Sequence, residues 1–337
     1  MGDFAIARAW RGRRLSRVPV VTLMPHSRCN CRCVMCDIWK ANRNGSSLDQ
    51  ATVDRLVADF QSLGVRWVVL SGGEALLHPN LWALCAALKT LPLKITLLSS
   101  GLLLERHAPA IVTWCDEVIV SLDGPEATHN RIRGIKDAYA SLAAGVDALR
   151  QQRPNYPVAA RCVIQQGNFL DLPATVDAAR ALGLDSISFL GADLSSTAFN
   201  RPQGWEGPRV EEVGLDAGQC DALDTVLEAL AASHGADFAS RFIQESPTRL
   251  GRIVAQYRAA LGLAPPPPVR CNAPWVSTVV EADGTVRPCF FHEPIGTLGS
   301  DGTLSEILNS PAARAFRAGL DMDSDPTCRR CVCSLKL

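Results

Sequence analysis

Between residues 18 and 191 short apolar runs alternate with stretches of helical periodicity. The runs at 18–24, 67–73, 94–101, 117–124, 158–165 and 186–191 lack polar alternation and predict six buried strands. Between them, 48–64, 78–91, 106–115, 138–152 and 172–183 predict helices, the first with a nearby serine cap and a glycine stop. Six such units imply an α/β fold, a parallel sheet covered by helices. Polar groups (Ser71 to Glu74, Ser99 to Gly101, Ser121 to Asp123) end the strands, where both a Rossmann sheet and a barrel place their sites. No G-x-G-x-x-G follows the first strand, which disfavours dinucleotide binding. Beyond 191 the order weakens. Residues 201–214 read as loop, 215–233 and 239–261 as helices, and Pro265 to Pro268 as a stiff spacer. A hairpin turning at Asp283-Gly284, a helix at 303–318 and a cysteine-rich tail close the chain.

The chain has 337 residues, 47% of them hydrophobic and 20% charged, which excludes a disordered, collagen-like or coiled-coil protein. Thirty-four basic residues balance 34 acidic ones, which argues against nucleic acid as a partner held by bulk charge. No apolar run reaches the roughly 18 residues of a membrane span. The start lacks a secretory signal, and Ile6 breaks the myristoylation pattern, so a cytoplasmic location is expected, with residues 1–16 a basic surface arm. Thirteen cysteines stand out. Without an export signal a disulfide framework is disfavoured. Cys85, Cys115, Cys162 and Cys220 sit in apolar or helical contexts and read as core. The other nine fall in two groups at opposite ends, as metal-binding cysteines do.

After the first strand, Cys29, Cys33 and Cys36 have C-x3-C-x2-C spacing, with Cys31 inserted. Three thiolates on one loop suit three corners of a 4Fe–4S cluster, leaving the fourth iron open; zinc usually needs a second, distant pair. This spacing, on the loop after strand one, resembles the radical S-adenosylmethionine (SAM) superfamily over about residues 17–200. The resemblance implies a partial (β/α)6 TIM-like barrel whose open iron binds SAM. Reductive cleavage of SAM then yields a 5′-deoxyadenosyl radical that takes hydrogen from substrate, with an external electron donor such as flavodoxin or ferredoxin. It further implies that Gly72, Gly73 and Glu74 hold the SAM amino group, and that Met35, where an aromatic is common, and Leu190 pack on the adenine. Ser121 and Arg133 are implied to approach the carboxylate and ribose. Cys31 is taken as a bystander, and Arg131 as equally compatible with a solvent-facing role.

Cys271, Cys289, Cys328, Cys331 and Cys333 form the second group, the first pair as C-x12-G-x4-C with Gly284 at the turn. This resembles the SPASM/Twitch auxiliary-cluster domain, here placed at 269–337 after a helical linker at 201–268. Five cysteines suffice for one auxiliary 4Fe–4S cluster, implied on Cys271, Cys289, Cys328 and Cys331, with Cys333 able to replace either of the last two. A structural zinc is the alternative for this tail. The auxiliary cluster is expected to accept an electron, which favours net oxidation: dehydrogenation or cross-linking of a small-molecule or peptide substrate. Epimerisation, carbon–carbon bond formation and a non-catalytic electron carrier remain as alternatives. Sulfatase-maturing relatives carry an Asp after the hairpin cysteine, whereas Cys289 precedes Phe290, which disfavours that activity. His292, read as an exposed loop residue, and Asp193 are the candidates for a catalytic base. Few residues precede strand one, too few for a leader-binding module, and the loop at 192–214 is expected to close the barrel mouth.

Overall fold

The computed structural model describes residues 12–333. The six expected strands form as β1 (Val20–His26), β2 (Trp67–Gly72), β3 (Lys94–Ser99), β4 (Glu117–Ser121), β5 (Val158–Ile164) and β6 (Ser186–Gly191). Each pairs in parallel with the next. The helices of the first half are α1 (Gln50–Ser62), α2 (Leu81–Leu88), α3 (Leu104–Trp114), α4 (Glu126–Arg133), α5 (Ala138–Gln152) and α6 (Leu172–Ala181). This is the α/β partial barrel of six parallel strands. The helix cap of α1 is Asp49, which accepts the Thr52 amide, rather than a serine.

The pleat sorts the strand residues onto two faces. Val68, Leu70, Ile95, Leu97, Val118, Val120, Ala160, Cys162, Ile187 and Phe189 are buried in one core with Phe60, Leu84, Ile111, Leu142 and Val176 of the helices. Their neighbours Val69, Ser71, Leu98, Ile119, Ser121, Arg161, Val163, Ser188 and Leu190 point to the inner face and are less buried. The four cysteines expected in the core (Cys85, Cys115, Cys162, Cys220) are there, each at most 3% exposed.

The second half departs from the sequence expectation in three places. The supposed loop at 201–214 contains α7 (Gly207–Val213), with Pro208 in the first turn, where its missing N–H costs nothing. After α8 (Ala217–Ser233) comes the short α9 (Gly235–Ala239), and the helix expected at 239–261 begins only at Pro247, as α10 (Pro247–Ala260), with 240–246 irregular. Ser246 caps the Arg249 amide and Pro247 opens α10, which makes that point a helix start. The helix expected at 303–318 likewise breaks, because Ser310 and Pro311 begin a new one. The region expected as a linker packs on the sheet edge: Ile187 bridges to Ile243, and Tyr257 Oη donates to the Ile164 carbonyl at 2.5 Å.

The C-terminal segment begins with α11 (Ala273–Val276) and continues the barrel's own sheet. β7 (Ser277–Val280) pairs in parallel with β1, Val20 opposite Ser277 and Leu23 opposite Val280. It then turns at Asp283-Gly284 into β8 (Thr285–Arg287), followed by β9 (Gly296–Thr297), α12 (Leu304–Leu308), α13 (Pro311–Gly319) and α14 (Pro326–Arg329). Gly284 has φ +86°, as the turn requires. Asp59 of α1 accepts the Leu304 and Ser305 amides at 2.9 and 3.3 Å, tying α12 to the barrel. Most of the expected arm, residues 1–11, lies outside the described residues; Leu15 is buried, and its backbone bonds the Asn309 side chain.

Candidate active site

The loop from Arg28 to Cys36 leaves β1 and is gripped from both sides. The Glu74 amide donates to the Arg28 carbonyl at 2.8 Å, and the amides of Arg32 and Val34 donate to the carbonyls of Arg133 and Ile132 at 3.0 Å each. A Cβ on Gly73 would stand 2.1 Å from the Arg28 carbonyl oxygen, so this approach needs glycine. Gly72 has φ +108° and its own Cβ would meet the His26 carbonyl oxygen at 2.8 Å. At the loop's start, Asn42 bonds both the Cys29 amide and its carbonyl.

The thiols of Cys29, Cys33 and Cys36 lie close enough to act on one another electrostatically. The Cys31 thiol, 1% exposed, lies against those of Cys29 and Cys33, so this residue is inside the thiol group rather than apart from it. Its hydrogen bond, reinforced by the Arg133 charge, holds the Cys33 thiol down at about 6, while burial pushes Cys36 up to about 12. A low-pKa thiol beside buried guanidinium groups on a fixed loop is a soft donor set, and it fits three corners of an iron–sulfur cubane.

Around the loop stand the other expected residues. Glu74 is fully buried, and its carboxylate is already occupied: Ser100 Oγ and N donate at 2.6 and 2.8 Å, Ser99 Oγ at 3.1 Å and the Leu76 amide at 3.3 Å. Burial raises its pKa against those bonds. Arg133 is also engaged: Nη2 pairs with Asp123 Oδ2 at 2.5 Å, and Nη1 donates to Cys33 Sγ at 3.6 Å. Arg131, by contrast, is solvent-facing and donates to the Gly167 carbonyl. Ser121 and Leu190 lie on the inner face, and half-buried Met35 precedes Cys36 in a turn.

The five tail cysteines also gather. Cys289 and Cys331 are both raised by burial and by nearby Cys271 and Cys333, and Cys328 by burial, Asp325 and then Cys289 and Cys271. Cys333 thus sits among the four expected ligands. An all-thiol group fits a second iron–sulfur cluster. His292 is not exposed but 8% accessible, with Nε2 3.4 Å from Cys328 Sγ and 3.7 Å from Asp325. Asp193 is buried in an ion pair, its Oδ2 2.6 Å from Arg201 Nη2. The crevice it lines holds only about 20 Å³, the space of one water.

The sequence reading missed Arg201, Trp205 and Asp37. Arg201 also donates to the Asp193 and Ala198 carbonyls and stacks on Trp205 at 4.2 Å. Trp205 Nε1 and Asn200 Nδ2 donate to Asp37, next to Cys36, at 2.8 and 3.1 Å. Phe199 stacks on Phe290, next to Cys289, at 4.9 Å. The segment after β6 therefore touches a residue adjacent in sequence to a cysteine of each group. Its signal was aromatic and basic residues in an otherwise loop-like stretch.

A profile of the radical SAM superfamily matches residues 23–189, and one of an iron–sulfur cluster-binding domain (SPASM) matches 271–332. The PqqA peptide cyclase of Gluconobacter oxydans is 27% identical over 315 residues, covering 90% of this chain and 80% of that protein. Among solved structures, Streptococcus suis SuiB bound to its precursor peptide SuiA superposes with TM-score 0.68 at 13% identity, over 97% of this chain and 74% of SuiB. Native anSMEcpe with bound AdoMet and Cp18Cys peptide gives 0.64 at 18%, over 93% and 87%. SAM and auxiliary iron–sulfur clusters are the cofactors these domains imply, and no helix of the described residues is long and apolar enough to cross a membrane. The chain belongs to the radical SAM superfamily, as an enzyme with a C-terminal iron–sulfur cluster-binding domain.

Proposed function

We propose that the chain is a radical SAM oxidoreductase acting on a peptide, in which a tail cluster, when bound, would supply the acceptor for the electron left on the substrate after hydrogen abstraction, the second hydrogen leaving as a proton to solvent. When bound, the loop cluster and SAM supply the hydrogen-abstracting radical; the chain's residues hold, orient and shield. Cys29, Cys33 and Cys36 hold the first cluster, and Cys31 and Arg133 set the charge around it. Gly72 and Gly73 let backbone reach the SAM amino group, and Glu74 keeps that turn in place through Ser99 and Ser100. Ser121, Met35 and Leu190 line the nucleoside side. Cys271, Cys289, Cys328 and Cys331 hold the second cluster. The boundaries at 16–17, 200–201 and 268–269 mark sequence units, and an outside flavodoxin or ferredoxin supplies the reducing electron.

The observation that carries this reading is the segment 199–205, which bonds Asp37 beside one thiol group and stacks on Phe290 beside the other. It supports two redox centres flanking one inner chamber, from which water can be kept. A peptide substrate is supported by PqqA peptide cyclase and by the peptide complexes of SuiB and anSMEcpe. The test is anaerobic incubation of the reconstituted protein with SAM, dithionite and peptides encoded beside its gene. The expected result is release of 5′-deoxyadenosine and a peptide lighter by two hydrogen atoms. A peptide whose mass is unchanged in H2O, and which in D2O gains a single deuterium at an α-carbon, would replace oxidation with epimerisation.

One observation favours a second reading of the tail alone. Ligand atoms of His292, Asp325 and Cys328 lie within 4.8 Å of one another, a mixed set that suits zinc. Elemental analysis decides: zinc at one per chain, with iron at half the two-cluster value, makes the tail structural.

A further inference from the structure

An arginine stands in the middle of β5, a strand otherwise built from apolar residues. Its neighbours Ala160 and Cys162 are buried against the helices, so the pleat turns Arg161 to the inner face, where it is exposed. Register places it level with Ser121 on β4 and Ser188 on β6, so that Ser121, Arg161 and Ser188 form one row across the chamber wall. Arg161 Nε donates to Ser188 Oγ at 3.2 Å, and Ser188 Oγ donates onward to the Ala160 carbonyl. This fixes the guanidinium and leaves the two terminal nitrogens as a fork. Among the described residues no carboxylate pairs with it.

We propose that Arg161 anchors a carboxylate of the substrate inside the barrel. A planar fork with one nitrogen already tethered matches the two oxygens of a carboxylate, and the Ser188 hydroxyl beside it extends a polar strip in an apolar wall. SAM also carries a carboxylate, but the arginine that reaches the cluster loop is Arg133, whose Nη1 donates to Cys33 Sγ at 3.6 Å. Arg161 stands on β5, separated from β1 and its loop by β4, β3 and β2, and its guanidinium is tethered toward β6 by Ser188. The inference rests on the peptide reading above and narrows it to peptides with an acidic side chain or a free C-terminus at the reacting segment.

The test uses the reconstituted, SAM-loaded protein and two capped tripeptides, Ac-Ala-Glu-Ala-NH2 and Ac-Ala-Gln-Ala-NH2, in which the glutamate side chain is the only carboxylate. Calorimetric titration is expected to show the Glu peptide binding at least tenfold tighter. That discrimination is expected to vanish in Arg161→Gln and to return in part in Arg161→Lys, with iron content showing that each variant is loaded. Equal affinity for the two peptides, including no binding of either, overturns the proposal, as does discrimination that survives in Arg161→Gln. A tenfold loss of SAM affinity in Arg161→Gln without peptide assigns the carboxylate to SAM and also overturns it. Absence of 5′-deoxyadenosine from the unaltered protein would instead refute the underlying enzymatic reading.

Discussion

Arg133 and Asp123 form a buried pair at the rim of the cluster loop, with Asp123 Oδ1 also accepting the Val163 amide at 3.0 Å. Removing one partner leaves an unpaired buried charge, so Arg133→Met is expected to cost about 3–5 kcal/mol in urea unfolding, whereas removing both in Asp123→Leu/Arg133→Met recovers most of it. His129 lies in the same shell: its Nδ1 accepts the Asp123 amide, and burial, then the Arg133 charge, drives its pKa down to about 3. Below the ordinary histidine value the unfolded chain binds a proton that the folded chain refuses. The stability His129 contributes is therefore complete above about pH 6.5 and is lost as pH falls toward 3, by about 2 kcal/mol at pH 5. Urea midpoints between pH 7 and 5 are expected to fall less in His129→Gln than in the parent. Phe199 and Asn200 both take left-handed backbone (φ 59° and 61°), which the Phe290 stack and the Asp37 bond hold in place.

At the scale of elements, the strands were legible because six short apolar runs bounded by turn residues read as strands of a covered sheet, although the inner face proves only partly buried. What periodicity did not disclose was α4, eight residues of mostly polar side chains whose ends are set by Pro125 and by Gly134 at φ 64°. That helix matters, since the carbonyls at its end receive the amides of Arg32 and Val34. The breaks before Pro247 and Pro311 were readable as Ser-Pro helix starts, but the apolar periodicity on either side masked them. The join between α12 and the barrel had no local signal, because Asp59 and Leu304 are 245 residues apart. Asp59→Ala strands two amides at the start of α12, and a loss of about 2 kcal/mol is expected. Hydrogen exchange should show the amides of 304–308 opening faster while those of β2 and β3 stay protected.

For the molecule as a whole, both cysteine groups were visible as spacings and a parallel sheet followed from alternating strands and helices, whereas the consecutive strand order of a barrel was implied only by the family resemblance. The sequence did not disclose that β7 joins β1, so that the tail continues the barrel sheet instead of standing apart. Nor did it place Cys31 among the loop thiols, or bury His292 and Asp193. Burial and pairing depend on partners distant in the chain: Asp193 is closed off by Arg201, His292 by Cys328 and Asp325. The inner-face role of Arg161 became readable only once the pleat of β5 was assigned.

The account depends most on Cys29, Cys33 and Cys36 holding one cluster independently of the tail. The direct measurement is iron and sulfide content after anaerobic reconstitution, in the parent and in the Cys29→Ala/Cys33→Ala/Cys36→Ala protein. About eight irons per chain are expected, falling to about four in the triple variant, at four per cubane. Unchanged iron in the triple variant would contradict the assignment.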